Sequence, residues 1–211
     1  MGGFPDDALL DHALSLARGT RVLYVPTANR EDTGPVVFWY DRLRARGTMT
    51  HLNFFPWPPA GLRELTLSQD VILIAGGNTA NALAIWRLHG FDEILREAWQ
   101  EGILLSGWSA GMICWFEHGV TDSFGPDLAP MDCLGFLPGS ACPHYDGEAE
   151  RRTVYQRLVT EGFPPGLAAD DCVALRFEGT ELAEVASARE GSRAYRVTPG
   201  GEEPIEPRLL G

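Results

Sequence analysis

A serine set between two glycines can act as a nucleophile when a strand leads into it and a helix leads away. Gly107-Trp108-Ser109-Ala110-Gly111 has this form. The apolar run Gly102 to Leu105 precedes it and helix-compatible residues follow. A sharp strand-to-helix turn would lift the Ser109 hydroxyl above the sheet, and the glycines let neighbouring backbone pass without a Cβ in the way. Amides at the start of the following helix would then face a developing oxyanion. Alone the pattern is weak, because G-x-S-x-G arises by chance in glycine-rich chains.

Such a serine needs a base to take its proton and an acid to orient that base. Five histidines are available: His12, His51, His89, His118 and His144. His144 is the preferred base. It lies in Cys142-Pro143-His144-Tyr145-Asp146-Gly147, a loop after the apolar run Leu134 to Leu137, where Pro143 fixes its own φ and biases Cys142 toward an extended backbone. The residues alone leave the acid among Asp170, Asp171, Glu117, Asp122 and Asp146. The adjacent pair Asp170 and Asp171 stands at the entrance of a strand beginning at Cys172.

The elements that must position these groups alternate. Strands are expected at Thr20 to Val25, Thr48 to Phe55, Asp70 to Ala75 and Gly102 to Ser106. Helices are expected at Val36 to Arg46, Thr79 to Leu88, Phe91 to Gln100 and Ala110 to Phe116. This predicts an α/β three-layer sandwich with a mostly parallel central sheet flanked by helices. Short segments at Cys172 to Phe177, Glu181 to Ala186 and Arg193 to Val197 predict an antiparallel C-terminal extension. The Pro/Glu-rich tail Gly200 to Gly211 is expected to fray. Residues 1–211 read as a single domain. Ligands of such sheets bind beyond the C-terminal strand ends, where Pro26 to Arg30, Gly76 to Thr79 and Ser109 fall together.

The chain carries a formal net charge of −12, which disfavours nucleic acid and anionic membrane as partners. No apolar run approaches the ~18 residues of a membrane span, and Met1 to Asp7 has no secretory pattern, so a cytoplasmic location is expected. Cys114, Cys133, Cys142 and Cys172 form no C-x-x-C pair and read as free thiols, with no metal expected.

Three segments together carry a family resemblance: I-A-G-G-N-T at Ile74 to Thr79, G-W-S-A-G-M around Ser109, and P-H-Y at His144, with V-P-T-A at Val25 to Ala28 in agreement. They resemble the peptidase E family of aspartyl dipeptidases and cyanophycinases. The resemblance extends from Gly2 to about Phe177. It implies a fold like that of class I glutamine amidotransferases and a cofactor-free serine peptidase acting on short peptides, with its triad in the order Ser, His, acid. It also carries a family-level expectation of a homodimer.

Where dipeptidase members resemble G-L-P-E-G-N, this chain reads Gly166-Leu167-Ala168-Ala169-Asp170-Asp171. Ala169 falls at the glutamate, so Asp170 is the expected third member of the triad, with Asp171 next. The oxyanion would be met by N–H groups of Ala110 and of Gly77 or Asn78. The segment after His144 is shorter than in the aspartyl dipeptidases. Arg151 and Arg152 are candidates to pair a substrate carboxylate, against the alternative of exposed helix-start residues. Met1-Gly2-Gly3-Phe4 resembles the turn after the family's first strand, so that strand is expected to be absent from this numbering or replaced by another segment. Two other functions stay open: a catalytically impaired peptide-binding relative, and an esterase or amidase with the same triad.

Overall fold

The computed structural model describes residues 1–4 and 6–211. Its first half is a parallel sheet of β1 (Arg21–Val25), β2 (Thr48–His51), β3 (Val71–Ile74) and β4 (Leu104–Gly107), in the spatial order β2-β1-β3-β4. Val22 to Val25 of β1 and all of β3 are apolar and buried because both faces of the sheet are covered, and Arg21 opens β1 at an exposed end. Alternate side chains separate the two cores. Val22, Tyr24, Val71 and Leu73 meet α1 (Asp7–Ser15) and α2 (Thr33–Leu43) through Leu9, Leu10, Val36, Trp39 and Leu43. Leu23, Val25, Ile72 and Ile74 meet α4 (Thr79–Leu88) and α5 (Phe91–Gln100) through Ala82, Leu83, Trp86, Leu95 and Ala98. A short α3 (Leu62–Leu67) joins β2 to β3. The expected α/β sandwich with a parallel central sheet is therefore present.

The second half departs further from expectation. The helix after Ser109 is only α6 (Ala110–Ile113), and the chain turns at Phe116 into β5 (Phe116–Thr121). Gly119 of this strand packs on Ile113, where an added Cβ would stand 3.0 Å from the Ile113 side chain. Next come β6 (Ala129–Asp132), β7 (Leu137–Cys142), α7 (Arg151–Thr160), β8 (Gly166–Ala169), β9 (Val173–Glu178), β10 (Glu181–Ser187) and β11 (Ala194–Thr198).

The tail does not fray. β12 (Gly201–Ile205) forms a hairpin on β11 across the turn Pro199-Gly200, and β13 (Arg208–Leu209) pairs with β10. Pro204 is accommodated because β12 is an edge strand. These strands form a mixed six-stranded sheet, β12-β11-β8-β7-β5-β6, and a three-stranded sheet, β13-β10-β9. The strand expected over Thr48 to Phe55 stops at His51, before the proline cluster at Pro56, Pro58 and Pro59.

The N-terminal residues run between β4 and β9. The Met1 amine donates to Gly107 O at 2.9 Å, Ser109 N donates to Met1 O at 3.2 Å, and Gly2 N donates to Val173 O at 3.0 Å. No described helix is long and apolar enough to cross a membrane.

Candidate active site

Ser109 stands between the end of β4 and the start of α6 with φ 55° and ψ −114°, a conformation that L-residues seldom occupy. Crowding enforces it. A Cβ on Gly107 would lie 2.4 Å from Gly111 O and 2.7 Å from Ile74 O, and one on Gly111 would lie 2.4 Å from Ile74 O. The glycines two positions either side of Ser109 are thus needed to pack the elbow onto β3. Trp108 anchors it from below. Its ring is buried, stacks on Tyr24 with centroids 6.4 Å apart, and tilts against Trp39 at 5.2 Å.

His144 also has a positive φ, 54°, and its Nδ1 lies 2.8 Å from Asp171 Oδ1. A carboxylate partner assigns the proton to Nδ1, leaving Nε2 with the free lone pair that a general base uses. Asp171 is itself positioned: its N–H donates to Asp146 Oδ1 at 2.7 Å, and Asp146 pairs with Arg189. Two glycines clear space for its carboxylate. A Cβ on Gly3 would stand 2.2 Å from Asp171 Oδ1, and one on Gly147 would stand 2.5 Å from Oδ2. His144 and Asp171 are both partly exposed.

Asp170, the residue expected to complete the triad, does not meet His144. It is buried, and its Oδ2 accepts from Arg193 N at 2.9 Å while its own N–H donates to Arg193 O at 3.1 Å. Asp170 therefore ties the end of β8 to the approach of β11. Burial pushes its carboxyl pKa up, opposed by the Arg193 backbone bond. The turn from Asp170 to Val173, closed by Val173 N on Asp170 O at 3.3 Å, sends the two carboxylates to different partners.

The competitors have other partners. His12 pairs with Glu184, His51 meets Tyr40 Oη, His89 stacks on Phe54, and His118 pairs with Asp132. Glu117 accepts from Gly139 N, and Asp146 supports Asp171 rather than the imidazole. Among the described residues no hydrogen bond joins Ser109 Oγ to His144.

The glycine pair after β3 lies against the elbow. A Cβ on Gly76 would stand 2.8 Å from Trp108 Nε1 and 3.1 Å from Ser109 Cβ. Gly77 has φ +135°, and a Cβ there would collide with Ala28 O at 2.2 Å. Of the three expected oxyanion donors, Asn78 N is already committed to Ala28 O at 2.8 Å. Its side chain caps α4, accepting from Asn81 N, and donates to Ser123 O. Among the described residues no group accepts from the N–H of Gly77 or of Ala110.

Neither arginine presents a free guanidinium. Arg151 is buried, with Nε 2.5 Å from Glu148 Oε2 and Nη1 3.4 Å from Val120 O. Arg152 pairs with Glu202 and lies over the rings of Tyr195 at 4.8 Å and Tyr145 at 5.5 Å. Both tie α7 to its surroundings. Among the described residues no group of three His, Cys, Asp or Glu side chains could hold a metal ion. Burial pushes the thiols of Cys133 and Cys142 up to about 12.

A family model described as peptidase family S51 matches residues 5–185. The chain belongs to peptidase family S51. It is 41% identical over 222 residues to an uncharacterized peptidase, YgaJ, of Bacillus subtilis (strain 168), an alignment covering 100% of this chain and 96% of the other. Among solved structures, a peptidase from an acI-B1 actinobacterium is similar with a TM-score of 0.71 at 17% identity, covering 98% of this chain and 92% of that one. A putative peptidase E protein from Listeria monocytogenes EGD-e is similar with a TM-score of 0.64 at 23% identity, covering 90% and 96%. At these identities the two structures speak for the fold.

In this S51 peptidase two supporting roles are not marked by any local pattern. Asp146, one of the candidate acids, instead fixes Asp171 by accepting its backbone N–H from 25 residues away in the chain. Ser123 caps the start of α4 through Oγ, accepting from Thr79 N at 2.9 Å and Ala80 N at 3.3 Å. No local pattern marked it, because the contact spans more than forty residues of chain.

Proposed function

We propose that this S51 peptidase is a serine-type enzyme that hydrolyses short peptides, with Ser109 as nucleophile, His144 as general base and Asp171 as the acid orienting His144. The observation that carries this reading is the strained Ser109 at the head of α6, together with a histidine whose Nδ1 is held by a carboxylate at 2.8 Å. Short peptides as the substrate class rest on the resemblance of Ile74 to Thr79, of the segment around Ser109 and of Pro143-His144-Tyr145 to the peptidase E family.

Ser109 Oγ attacks the scissile carbonyl carbon as its proton passes to His144 Nε2. The carbonyl electron pair moves to oxygen, and the N–H groups of Ala110 and Gly77 are the donors best suited to receive it. The C–N bond then breaks as His144 returns the proton to the leaving amine. Water, activated by the same imidazole, hydrolyses the acyl-serine. Asp171 stabilises the imidazolium in both halves without itself taking the proton. Among the described residues no hydrogen bond joins Ser109 Oγ to His144, so proton transfer requires the pair to close. Such bonds often tighten only once substrate is bound.

The test is hydrolysis of a dipeptide and tripeptide library followed by mass spectrometry, with Ser109→Ala as control. Cleavage by the wild type that is lost in the variant supports the reading and gives the side-chain preference. Cleavage by both proteins, or by neither, would overturn it.

A further inference from the structure

The segment Asp122-Ser123-Phe124-Gly125-Pro126 follows β5 and has the composition of a tight turn, with one large apolar side chain in it. Gly125 N donates to Asp122 O at 3.3 Å, which closes a β-turn with Phe124 in its third position. Phe124 is 66% exposed. A single exposed aromatic is ordinary on a protein surface, so its meaning depends on what holds it and where it stands.

The turn is held firmly. Ser123 N donates to Thr121 Oγ1 at 3.1 Å, and the two hydroxyls lie 2.7 Å apart. Ser123 Oγ accepts from Thr79 N and Ala80 N, and Ser123 O accepts from Asn78 Nδ2 at 2.9 Å. These bonds clamp the turn to the first residues of α4. With Ser123 fixed, the neighbouring ring is presented to solvent at a defined place.

That place adjoins both halves of the candidate active site. On one side, Asn78 follows Gly76 and Gly77, and a Cβ on Gly76 would stand 3.1 Å from Ser109 Cβ. On the other side, β5 runs parallel to β7 with Gly119 beside Ala141. Continued by two residues, this register brings Thr121 level with Pro143, the residue before His144. Phe124 thus stands on a turn bound to the segment after the oxyanion glycines and continuous with the strand beside the one that delivers the base.

We propose, resting on the assignment of Ser109 as nucleophile, that Phe124 is a specificity-determining residue. Its ring is the apolar wall against which a substrate side chain next to the scissile bond packs. The substrates it selects are dipeptides with an apolar residue such as Leu or Phe at that position. Packing removes apolar surface of the ring and of the ligand from water together. An acidic residue is disfavoured there. Asp122 and Asp127 flank the ring in the chain and are both exposed, so a substrate carboxylate would meet like charge beside a surface that cannot solvate it.

The test measures binding by calorimetry on Ser109→Ala, which lacks the nucleophile. Two dipeptide series are used, X-Ala and Ala-X, where X is Ala, Leu, Phe or Asp. In the series that sets X against the ring, Leu and Phe should bind about tenfold or more tightly than Ala, and Asp more weakly than Ala. Adding Phe124→Ala should cut that preference to about twofold or less, whereas adding Phe124→Leu should keep most of it. Binding needs no hydrolysis, so a protein that selects apolar dipeptides through Phe124 without cleaving them fails the peptidase reading alone. Asp bound as tightly as Leu in both series would overturn the proposal. So would a preference unchanged by Phe124→Ala, or the absence of binding by every dipeptide.

Discussion

Asp171 and Asp170 are chain neighbours with opposite tasks: the first holds His144 Nδ1 at 2.8 Å, and the second accepts a backbone N–H from Arg193 at 2.9 Å. The turn between β8 and β9 separates them. Val173 N closes it on Asp170 O at 3.3 Å, and Cys172 takes φ 65° to complete it.

The two aspartates should therefore part on substitution. Asp171→Asn removes the charge that stabilises the imidazolium and disturbs the tautomer, and kcat should fall by about 10⁴-fold. Asp170→Asn keeps an oxygen for Arg193 N. It should leave kcat within about threefold and change the unfolding free energy by about 1 kcal/mol or less. Steady-state kinetics and urea unfolding of both variants check this. The opposite ranking would return Asp170 to the triad.

Ser109 occupies a backbone conformation natural only to glycine. Ser109→Gly should stabilise the fold by about 1–2 kcal/mol while abolishing hydrolysis, whereas Ser109→Ala should lose activity without that gain. Urea unfolding of the three proteins measures the difference. A Ser109→Gly variant no more stable than Ser109→Ala would mean that the strain is absent.

Asp70 gives the fold an acid-labile contact. Its carboxylate accepts from Arg21 Nε, Nη2 and backbone N, each at 3.0 Å, and these bonds hold its pKa near 2, below its ordinary 3.8. A lowered carboxyl pKa contributes stability that is present above 3.8 and lost as pH falls through about 2. Asp70→Asn should therefore cost about 1–2 kcal/mol near neutral pH and remove part of the pH dependence between about 4 and 2. Unfolding free energies measured across that range check both points. Parallel curves for the two proteins would contradict the assignment.

The parallel core was legible because Val22 to Val25 and Val71 to Ile74 are short apolar runs closed by Pro26 and by Gly76-Gly77, and the elbow was legible because the glycines that pack it onto β3 stand two positions either side of Ser109. The acid was not. Its identity depends on the Asp170-to-Val173 turn, which two adjacent identical side chains cannot reveal. The length of the helix after Ser109 was not legible, since Cys114 to Phe116 is apolar enough for either state and the pairing of β5 with β7 decides it. The composition of the tail hides its order: Thr198-Pro199-Gly200-Gly201 makes a two-residue hairpin turn and Tyr195 faces Pro204 across it. The structural roles of Arg151 and Arg152 were not legible, because their partners Val120, Tyr195 and Glu202 lie far away in sequence.

The central claim is that Ser109 is an activated nucleophile served by His144 and Asp171. Intact mass after incubation with a fluorophosphonate probe tests it most directly, comparing wild type with Ser109→Ala, His144→Ala and Asp171→Asn. One adduct on the wild type, none on Ser109→Ala and strongly slowed labelling of the other two is the predicted result. A folded wild-type protein that takes no adduct, or labels as fast without His144 as with it, would contradict the account.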